Sequence, residues 1–175
     1  MTLGISASAQ AKPVTIRAVR AEDWQLVRCV RLAALADAPD AFARTLEEEL
    51  ALPDQHWQNR TALNAAGETS CAFLALIDDV PCGYVVGVLS TPEQADLYAM
   101  WVAANVRRRG IGLALTQSVA TWARQRGATR LSLRVVAANS GAFQLYQSTG
   151  FEPDSSAAES CGTRQAPALQ MHKRL

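Results

Sequence analysis

The sequence lacks a strong net charge, and this shortage excludes several classes of function. Its 175 residues carry 17 Lys and Arg against 16 Asp and Glu, a formal charge of +1. Proteins that bind nucleic acid or anionic membranes through their overall field need a basic excess. Neither partner is therefore expected, and any basic site must be local.

Long apolar runs are also missing. No stretch approaches the roughly 20 apolar residues that a membrane-spanning helix needs, so we expect no membrane insertion. Residues 1–13 are mostly small and polar, without the charged start and apolar centre of a signal peptide. We expect them to form a disordered leader, followed by a single cytoplasmic domain of residues 14–175.

Cysteine and histidine are too scattered to indicate a metal centre. The chain has two histidines and four cysteines, and no CxxC or Cys/His spacing relates them. Three of the cysteines lie among apolar or small residues, which suits a buried thiol. We expect reduced cysteines, in agreement with a cytoplasmic location, and no metal cofactor. The four are Cys29, Cys71, Cys82 and Cys161.

What is present is the composition of one globular domain. Apolar residues make up 49% and charged residues 19% of the chain, and its length suits one core. Periodicity and breaks predict the order strand, two helices, three strands, helix, strand, helix and strand. This order implies an α/β (α+β) fold with helices on both faces of one mixed sheet. The predicted strands cover residues 14–17, 72–77, 82–89, 95–102, 131–136 and 168–173.

Capping and periodicity signals predict helices between these strands. Thr45, with Glu48 three residues later, predicts a capping box, and Pro53 interrupts the helix that follows. A later helix is predicted from Gly110 to about residue 126, and its apolar stripe should face the core. That stripe consists of Leu115, Val119, Trp122 and Ala123.

A basic, glycine-containing segment lies between a predicted strand and this helix. Residues 107–112 read RRRGIG. A helix start offers unpaired N–H groups and a positive dipole end to an anion, and Gly110 and Gly112 remove side chains that would hold a pyrophosphate away. The segment predicts a pyrophosphate site, with a solvated arginine cluster as the alternative. It lacks the spacing of a Walker or dinucleotide loop, which disfavours ATP and NAD.

Two motifs together resemble those of the GCN5-related N-acetyltransferase (GNAT) superfamily. Arg107-x-x-Gly110-x-Gly112 after a strand is similar to its motif A. Residues 139–151, NSGAFQLYQSTGF, match its N-x-x-A-x-x-L-Y-x-x-x-G-F signature at every defined position. The resemblance covers about residues 14–173. It implies a mixed sheet, mostly antiparallel, whose fourth and fifth strands splay apart around the pantetheine arm of CoA.

The resemblance also implies a reaction, the transfer of an acetyl group from acetyl-CoA to a primary amine by direct attack in a ternary complex. The backbone N–H of Val102 would face the thioester oxygen, and Tyr146 would be the general acid for the departing thiolate. Asn139 would contact the cofactor arm. Tyr146 can instead be a core residue, and Asn139 a helix cap. The implied cofactor-binding set is Met100, Trp101, Val102, Arg107, Arg108, Arg109, Gly110, Ile111, Gly112, Leu113, Asn139, Ala142 and Tyr146.

A general base must also deprotonate the amine, and the two motifs do not contain it. Many members of the superfamily use a carboxylate on the fourth strand acting through water, and Asp96 lies six residues before Val102. Even spacing would put Asp96, Tyr98 and Val102 on one strand face, with Tyr98 in a water relay and Trp101 on the opposite face. The alternative for Asp96 is a solvated aspartate near the strand start.

The acceptor side in this superfamily varies, and here it would come from residues 39–49. Phe42, Glu47 and Glu48 are its candidates. The three glutamates at 47–49 can attract a cationic amine or form a solvated helix face, and we favour the solvated face. His56 and Trp57 are interpreted as packing residues.

Identity of the amine and oligomeric state are not readable from the sequence, although the resemblance is compatible with a homodimer. Two rival functions stay open. One is a CoA-binding sensor or regulatory module without turnover, and the other is an acyltransferase that uses a longer acyl-CoA.

Overall fold

A computed structural model of the protein describes residues 12–161 and 166–175. The expected leader over residues 1–13 lies almost entirely outside this range. The strands are β1 (Thr15–Ala18), β2 (Ser70–Ile77), β3 (Val80–Thr91), β4 (Gln94–Val102), β5 (Arg130–Val136), β6 (Glu152–Cys161) and β7 (Ala166–Arg174). The helices are α1 (Trp24–Asp37), α2 (Leu46–Leu50), α3 (Asp54–Ala66), α4 (Ile111–Gln125) and α5 (Ser140–Ser148).

One mixed sheet contains the strands in the order β1-β2-β3-β4-β5-β7-β6. Its neighbours are antiparallel except for β4 and β5, which run parallel. These two pair only from Gln94 to Leu97, whereas β4 continues along β3 to Val102 and β5 continues along β7 to Val136. The two strands therefore splay apart after Leu97, which confirms the predicted fold class.

Helices cover both faces of the sheet. α4 packs on one face, and its predicted stripe from Leu115 to Ala123 is buried there. Gly87 permits the close approach, because a Cβ at this position would lie 2.8 Å from Val119 Cγ1. α1 and α3 pack on the other face through Val30 and Trp57. α5 lies on the α4 side, where Tyr146 joins the same core.

Local signals at the helix ends are confirmed. Thr45 Oγ1 accepts a hydrogen bond from the Glu48 N–H at 3.1 Å, and the Glu48 carboxylate accepts one from the Thr45 N–H at 2.9 Å. α3 begins directly after Pro53. Strand β6 is the element that the sequence does not predict, because its residues EPDSSAAESC show no apolar alternation.

A β-bulge in β4 overturns the expected arrangement of its side chains. Tyr84 of β3 pairs with Trp101, but Val86 pairs with Tyr98, so β4 has one extra residue between these pairs. Ala99 sits there with φ of +53°. The extra residue reverses the alternation. Val102 therefore packs toward α4, whereas Trp101 shares the opposite face with Asp96 and Tyr98.

The described cysteines are free thiols. Cys71 and Cys82 are buried and Cys29 is exposed, while the side chain of Cys161 lies outside the described part of the chain. Burial raises the pKa of Cys71 to about 12. Within residues 12–161 and 166–175, no helix is long and apolar enough to cross a membrane. The same residues contain no cluster of three or more potential metal ligands from His, Cys, Asp and Glu.

Candidate active site

A cavity of about 670 Å³ opens where β4 and β5 diverge. The end of β4, the RRRGIG segment, α5 and the chain from the end of α1 to Phe42 form its walls. Most of the predicted site residues line it, namely Phe42, Met100, Trp101, Val102, Arg107, Arg108, Gly110, Ile111, Gly112, Leu113, Asn139 and Ala142. The predicted residues Glu47, Glu48, Asp96, Tyr98, Arg109 and Tyr146 are not on its walls.

The first turn of α4 supplies backbone donors to this cavity. Ala114 N–H donates to Gly110 O at 3.0 Å, the first bond of the helical series. The N–H groups of Ile111, Gly112 and Leu113 precede that bond and have no intrahelical acceptor. All three residues line the cavity. The helix start therefore presents donors and a positive dipole end to any anion bound there.

The two glycines of the segment serve different purposes. Gly110 has φ of +78°, and a Cβ there would meet open space, so its backbone conformation is what favours glycine. A Cβ at Gly112 would lie 2.8 Å from Leu145 Cδ2. Gly112 therefore lets α4 approach α5, a role that the sequence interpretation missed when it assigned both glycines to pyrophosphate access.

The polar groups of Val102 point into the gap between the splayed strands. Val102 is opposite Gly83, and the N–H of the next residue, Ala103, donates to Cys82 O at 2.8 Å. In such an antiparallel pair, the N–H and C=O of Val102 face away from β3. Arg107 Nε donates to that carbonyl at 2.8 Å. The carbonyl is thus held, and the N–H is directed toward the cavity.

Asp37, at the end of α1, binds two of the predicted site residues. Its carboxylate accepts a hydrogen bond from Trp101 Nε1 at 2.9 Å and forms an ion pair with the Arg107 guanidinium. The hydrogen bonds from Trp101 and Arg107, together with the Arg107 charge, hold the pKa of Asp37 below its usual range. Asp37 lines the cavity, yet the sequence marks it only as the end of a helix.

The other two arginines of the segment differ in placement. Arg108 lines the cavity, with φ of +66°. The Arg109 guanidinium instead donates to Lys12 O at 2.6 Å. Because Asp37 offsets the charge of Arg107, Arg108 is the basic side chain best placed for a bound anion.

Asn139 begins α5 on the opposite wall. Its Oδ1 accepts a hydrogen bond from the Ala142 N–H at 3.0 Å, so the predicted cap is present. Both residues line the cavity. With Oδ1 engaged in the cap, the remaining polar group of the Asn139 side chain is its NH₂, a donor.

Tyr146 follows Ala142 by one helical turn but is buried in the core rather than on the cavity wall. Its side chain is 4% exposed, and its ring contacts Phe151 edge-on with centroids 5.6 Å apart. Burial raises the pKa of Tyr146 well above the ordinary value of a tyrosine. The phenol is therefore protonated throughout the neutral pH range.

Asp96 and Tyr98 lie on the sheet face that α4 does not cover. Gln94 donates to the Asp96 carboxylate at 3.4 Å. Burial raises the pKa of Tyr98 and the charge of Asp96 raises it further, while Arg134 opposes them. The two predicted relay residues are therefore close to each other, but they are separated from Val102 by the bulge at Ala99.

The residues predicted for the acceptor side do not lie together in the structure. Phe42 is buried on the cavity wall beneath the Arg31 guanidinium, 4.6 Å from the ring centroid. Glu47 is exposed and Glu48 serves the capping box. Glu49 is the glutamate that turns inward, 1% exposed, where Arg31 donates to its Oε1 at 3.2 Å.

Comparisons with known proteins agree with this architecture. An acetyltransferase of the GNAT family from Streptococcus pneumoniae superposes with a TM-score of 0.77 at 20% identity, covering 93% of this chain and 100% of that one. A putative acetyltransferase from Salmonella typhimurium, solved with its cofactor acetyl-CoA, superposes with a TM-score of 0.76 at 15% identity, covering 93% and 94% of the two chains. At these identities the likeness shows the fold.

A curated relative, an uncharacterized N-acetyltransferase of Methanocaldococcus jannaschii, is 30% identical over 86 residues, or 46% of this chain. The match spans only 38% of that protein's length. The family model described as "Acetyltransferase (GNAT) family" matches residues 32–151, which include the whole cavity wall from Asn139 to Ser148 and the RRRGIG segment. This protein therefore belongs to the GNAT acetyltransferase family.

Proposed function

We propose that this protein is an N-acetyltransferase that moves an acetyl group from acetyl-CoA to a primary amine. The observation that carries the proposal is one continuous cavity, which joins the free N–H groups at the start of α4 to the N–H of Val102. The first set suits a pyrophosphate and the second suits a thioester oxygen. Solved family members include proteins in complex with acetyl-CoA and with coenzyme A.

The donor would bind through this chain's own groups in a defined order. Ile111, Gly112 and Leu113 would donate their N–H groups to the pyrophosphate, and Arg108 would add a positive charge. The pantetheine arm would lie between β4 and β5, where the NH₂ of Asn139 is a further donor. The acetyl end would then reach Val102 at the splay.

The chemistry requires a neutral amine, a donor to the developing oxyanion and an acid for the thiolate. Val102 N–H would hold the carbonyl oxygen as the amine attacks directly. Tyr146, which burial keeps protonated, is proposed as the acid. Asp96 is proposed as the base, acting through Tyr98 or water. The amine would enter from the wall formed by Phe42 and the chain after α1.

A second candidate is a CoA-binding module without turnover. It is favoured by one observation, the absence of both proposed proton-transfer residues, Asp96 and Tyr146, from the described cavity wall. Such a module would use the α4 donors in the same way but would release no thiol.

A thiol-release assay with acetyl-CoA and grouped primary amines separates the two candidates. Amine-dependent release, matched by calorimetric binding of acetyl-CoA, supports the acetyltransferase. Binding without release across amino acids, polyamines, aminoglycosides and peptide N-termini supports the module. The same assay with propionyl-CoA and butyryl-CoA compares the preferred acyl length. Absence of both binding and release contradicts both candidates.

A further inference from the structure

A chain of side-chain contacts runs from α3 to the cavity wall. Arg60 of α3 lies with its Nη2 atom 3.6 Å from Glu49 Oε2. The other carboxylate oxygen, Glu49 Oε1, accepts hydrogen bonds from Arg31 Nε and Nη2, each at 3.2 Å. The Arg31 guanidinium lies over the Phe42 ring, with its carbon 4.6 Å from the ring centroid. Because Phe42 lines the cavity, the buried Glu49 carboxylate is connected to the cavity wall through Arg31.

These contacts hold the Phe42 ring from three elements. Arg31 of α1 and Glu49 of α2 are both buried, so water does not compete strongly for the contacts between them. A guanidinium over an aromatic ring is attracted to its face. Phe42 also belongs to a buried cluster with residues of α1, and Trp101 of β4 packs against that cluster. The ring of Phe42 is therefore fixed in position before any acceptor enters.

The cavity wall around Phe42 is apolar. The side chains that it shares with the end of β4 are those of Ala38, Ala41, Phe42, Met100 and Trp101. The indole N–H of Trp101 is already engaged, because it donates to Asp37. Val102, whose N–H is directed toward the cavity, follows Trp101 in β4. An amine that meets the thioester from this wall would therefore place its neighbouring carbon atoms against apolar side chains.

The charges on the cavity wall disfavour acceptors with several cationic groups. Among the described residues that line the cavity, the charged side chains are Asp37, Arg107 and Arg108. Asp37 is paired with Arg107, and Arg108 is proposed to bind the pyrophosphate. This wall thus offers no unpaired carboxylate to a second ammonium group. A polyamine or aminoglycoside would leave a cation without compensation there, which is costly away from water.

We propose that the acceptor is a small monoamine with an apolar substituent and that Phe42 selects this substituent. This inference rests on the proposed function and names the substrate class of the same site. The substituent would displace water from the apolar wall, and an aromatic substituent would also stack against the Phe42 ring. Arg31 and Glu49 do not line the cavity. They are positioning residues, which act on the acceptor through Phe42.

A panel of small amines tests the substrate class. In the thiol-release assay, kcat/KM for 2-phenylethylamine and 3-methylbutylamine should exceed that for ethanolamine and spermidine by about 10-fold or more. Phe42→Ala should remove most of this advantage. Phe42→Leu keeps most of the apolar volume of the side chain, so it should retain the advantage of 3-methylbutylamine. It should lose about 3-fold or more with 2-phenylethylamine, because the aromatic contact is absent.

Arg31→Lys tests the positioning role. Lysine keeps a positive charge beside Glu49 but lacks the planar guanidinium that lies over Phe42. The KM for 2-phenylethylamine should rise about 3-fold or more, whereas kcat at saturating amine and the KM for acetyl-CoA should stay near those of wild type. A general folding defect would not separate these constants. Arg44→Lys, which changes an exposed arginine two residues after Phe42, is the matched control and should behave as wild type.

A binding measurement without turnover completes the test. Calorimetric titration of 2-phenylethylamine into the protein saturated with CoA should show weaker binding to Phe42→Ala and Arg31→Lys than to wild type. A preference for spermidine or ethanolamine, or equal losses with all four amines in the Phe42 variants, would overturn the substrate class. An unchanged amine KM in Arg31→Lys would remove the positioning role. If wild-type protein acetylates no amine, the proposed function fails and this inference with it, whereas acetylation that favours polycations contradicts this inference alone.

Discussion

The carboxylate of Asp37 accepts a hydrogen bond from the indole of Trp101, 64 residues later in the chain, at 2.9 Å. The same carboxylate binds the Arg107 guanidinium, whose Nε donates to Val102 O at 2.8 Å. The end of α1 is thereby tied to the end of β4 and to the RRRGIG segment. Asp37 thus acts on the Val102 backbone through Arg107.

Asp37→Ala should impair turnover more than stability. The Asp37–Arg107 pair is partly exposed, and such pairs contribute about 0–1 kcal/mol to stability, so Tm should fall only slightly. Release of Arg107 from Asp37 should loosen the Val102 carbonyl and lower kcat about 10-fold or more, because misplacement of about 1 Å costs up to about 10²-fold. Asp37→Asn keeps an acceptor for the Trp101 indole, so its kcat should fall less than that of Asp37→Ala. The control is Glu68→Gln, which changes an exposed residue after α3. An unchanged kcat in Asp37→Ala would contradict the role of Asp37 in holding the Val102 backbone through Arg107.

Tyr146→Phe should lower kcat about 10²-fold or more while the affinity for acetyl-CoA stays near that of wild type. Because burial raises the pKa of Tyr146, loss of activity through its ionisation should begin only above pH 10, the ordinary value for tyrosine. Tyr84→Phe is a matched control, since Tyr84 is 2% exposed on the opposite sheet face. Equal turnover in Tyr146→Phe and wild type would remove Tyr146 as the acid.

Asp23 should contribute an acid-sensitive part of the stability. Arg17 NH2 donates to its Oδ1 at 2.9 Å, and this interaction with Arg17 holds the pKa of Asp23 below its ordinary value. A group with a lowered folded-state pKa stabilises the protein above its unfolded pKa, near 3.9, and loses that contribution as pH falls through the folded pKa. Asp23→Asn should therefore unfold more easily at pH 7 and show a flatter stability profile below pH 4. Parallel urea profiles for the variant and wild type would contradict this.

Glu49→Ala should destabilise the protein by about 3 kcal/mol or more. Glu49 is 1% exposed, Arg31 donates to its Oε1 at 3.2 Å, and Arg60 lies 3.6 Å from its Oε2. Removing one member of a buried ion cluster leaves the others without compensation. Glu48→Ala, which removes only a capping interaction of the exposed α2 start, should cost about 1 kcal/mol. Similar urea midpoints for the two variants would contradict the buried role of Glu49.

The sequence predicts most of this fold because periodicity and capping are local. The Thr45–Glu48 box, the α4 stripe and the break at Pro53 are all confirmed. The alternation along β4 fails at Ala99 because the bulge depends on pairing with β3, which local spacing does not encode. β6 is formed through its partner β7, so its own polar residues give no signal.

The candidate site also contains residues that local sequence signals predict and residues that they do not. The RRRGIG segment and Asn139 are readable because helix starts and caps have sequence signatures. Asp37 and Leu145 are not, since each acts through a residue far away in the chain, Trp101 in one case and Gly112 in the other.

The most direct test of the acetyl-CoA site is calorimetric binding of acetyl-CoA to Gly112 variants. Gly112→Glu should abolish binding, because its carboxylate places a negative charge in the first turn of α4, where the pyrophosphate would bind. Gly112→Ala should bind within about 10-fold of wild type, about 1.4 kcal/mol, since the Cβ meets only the end of the Leu145 side chain. Wild-type affinity in Gly112→Glu, with a normal Tm in all three proteins, would contradict the assignment of the cavity to acetyl-CoA.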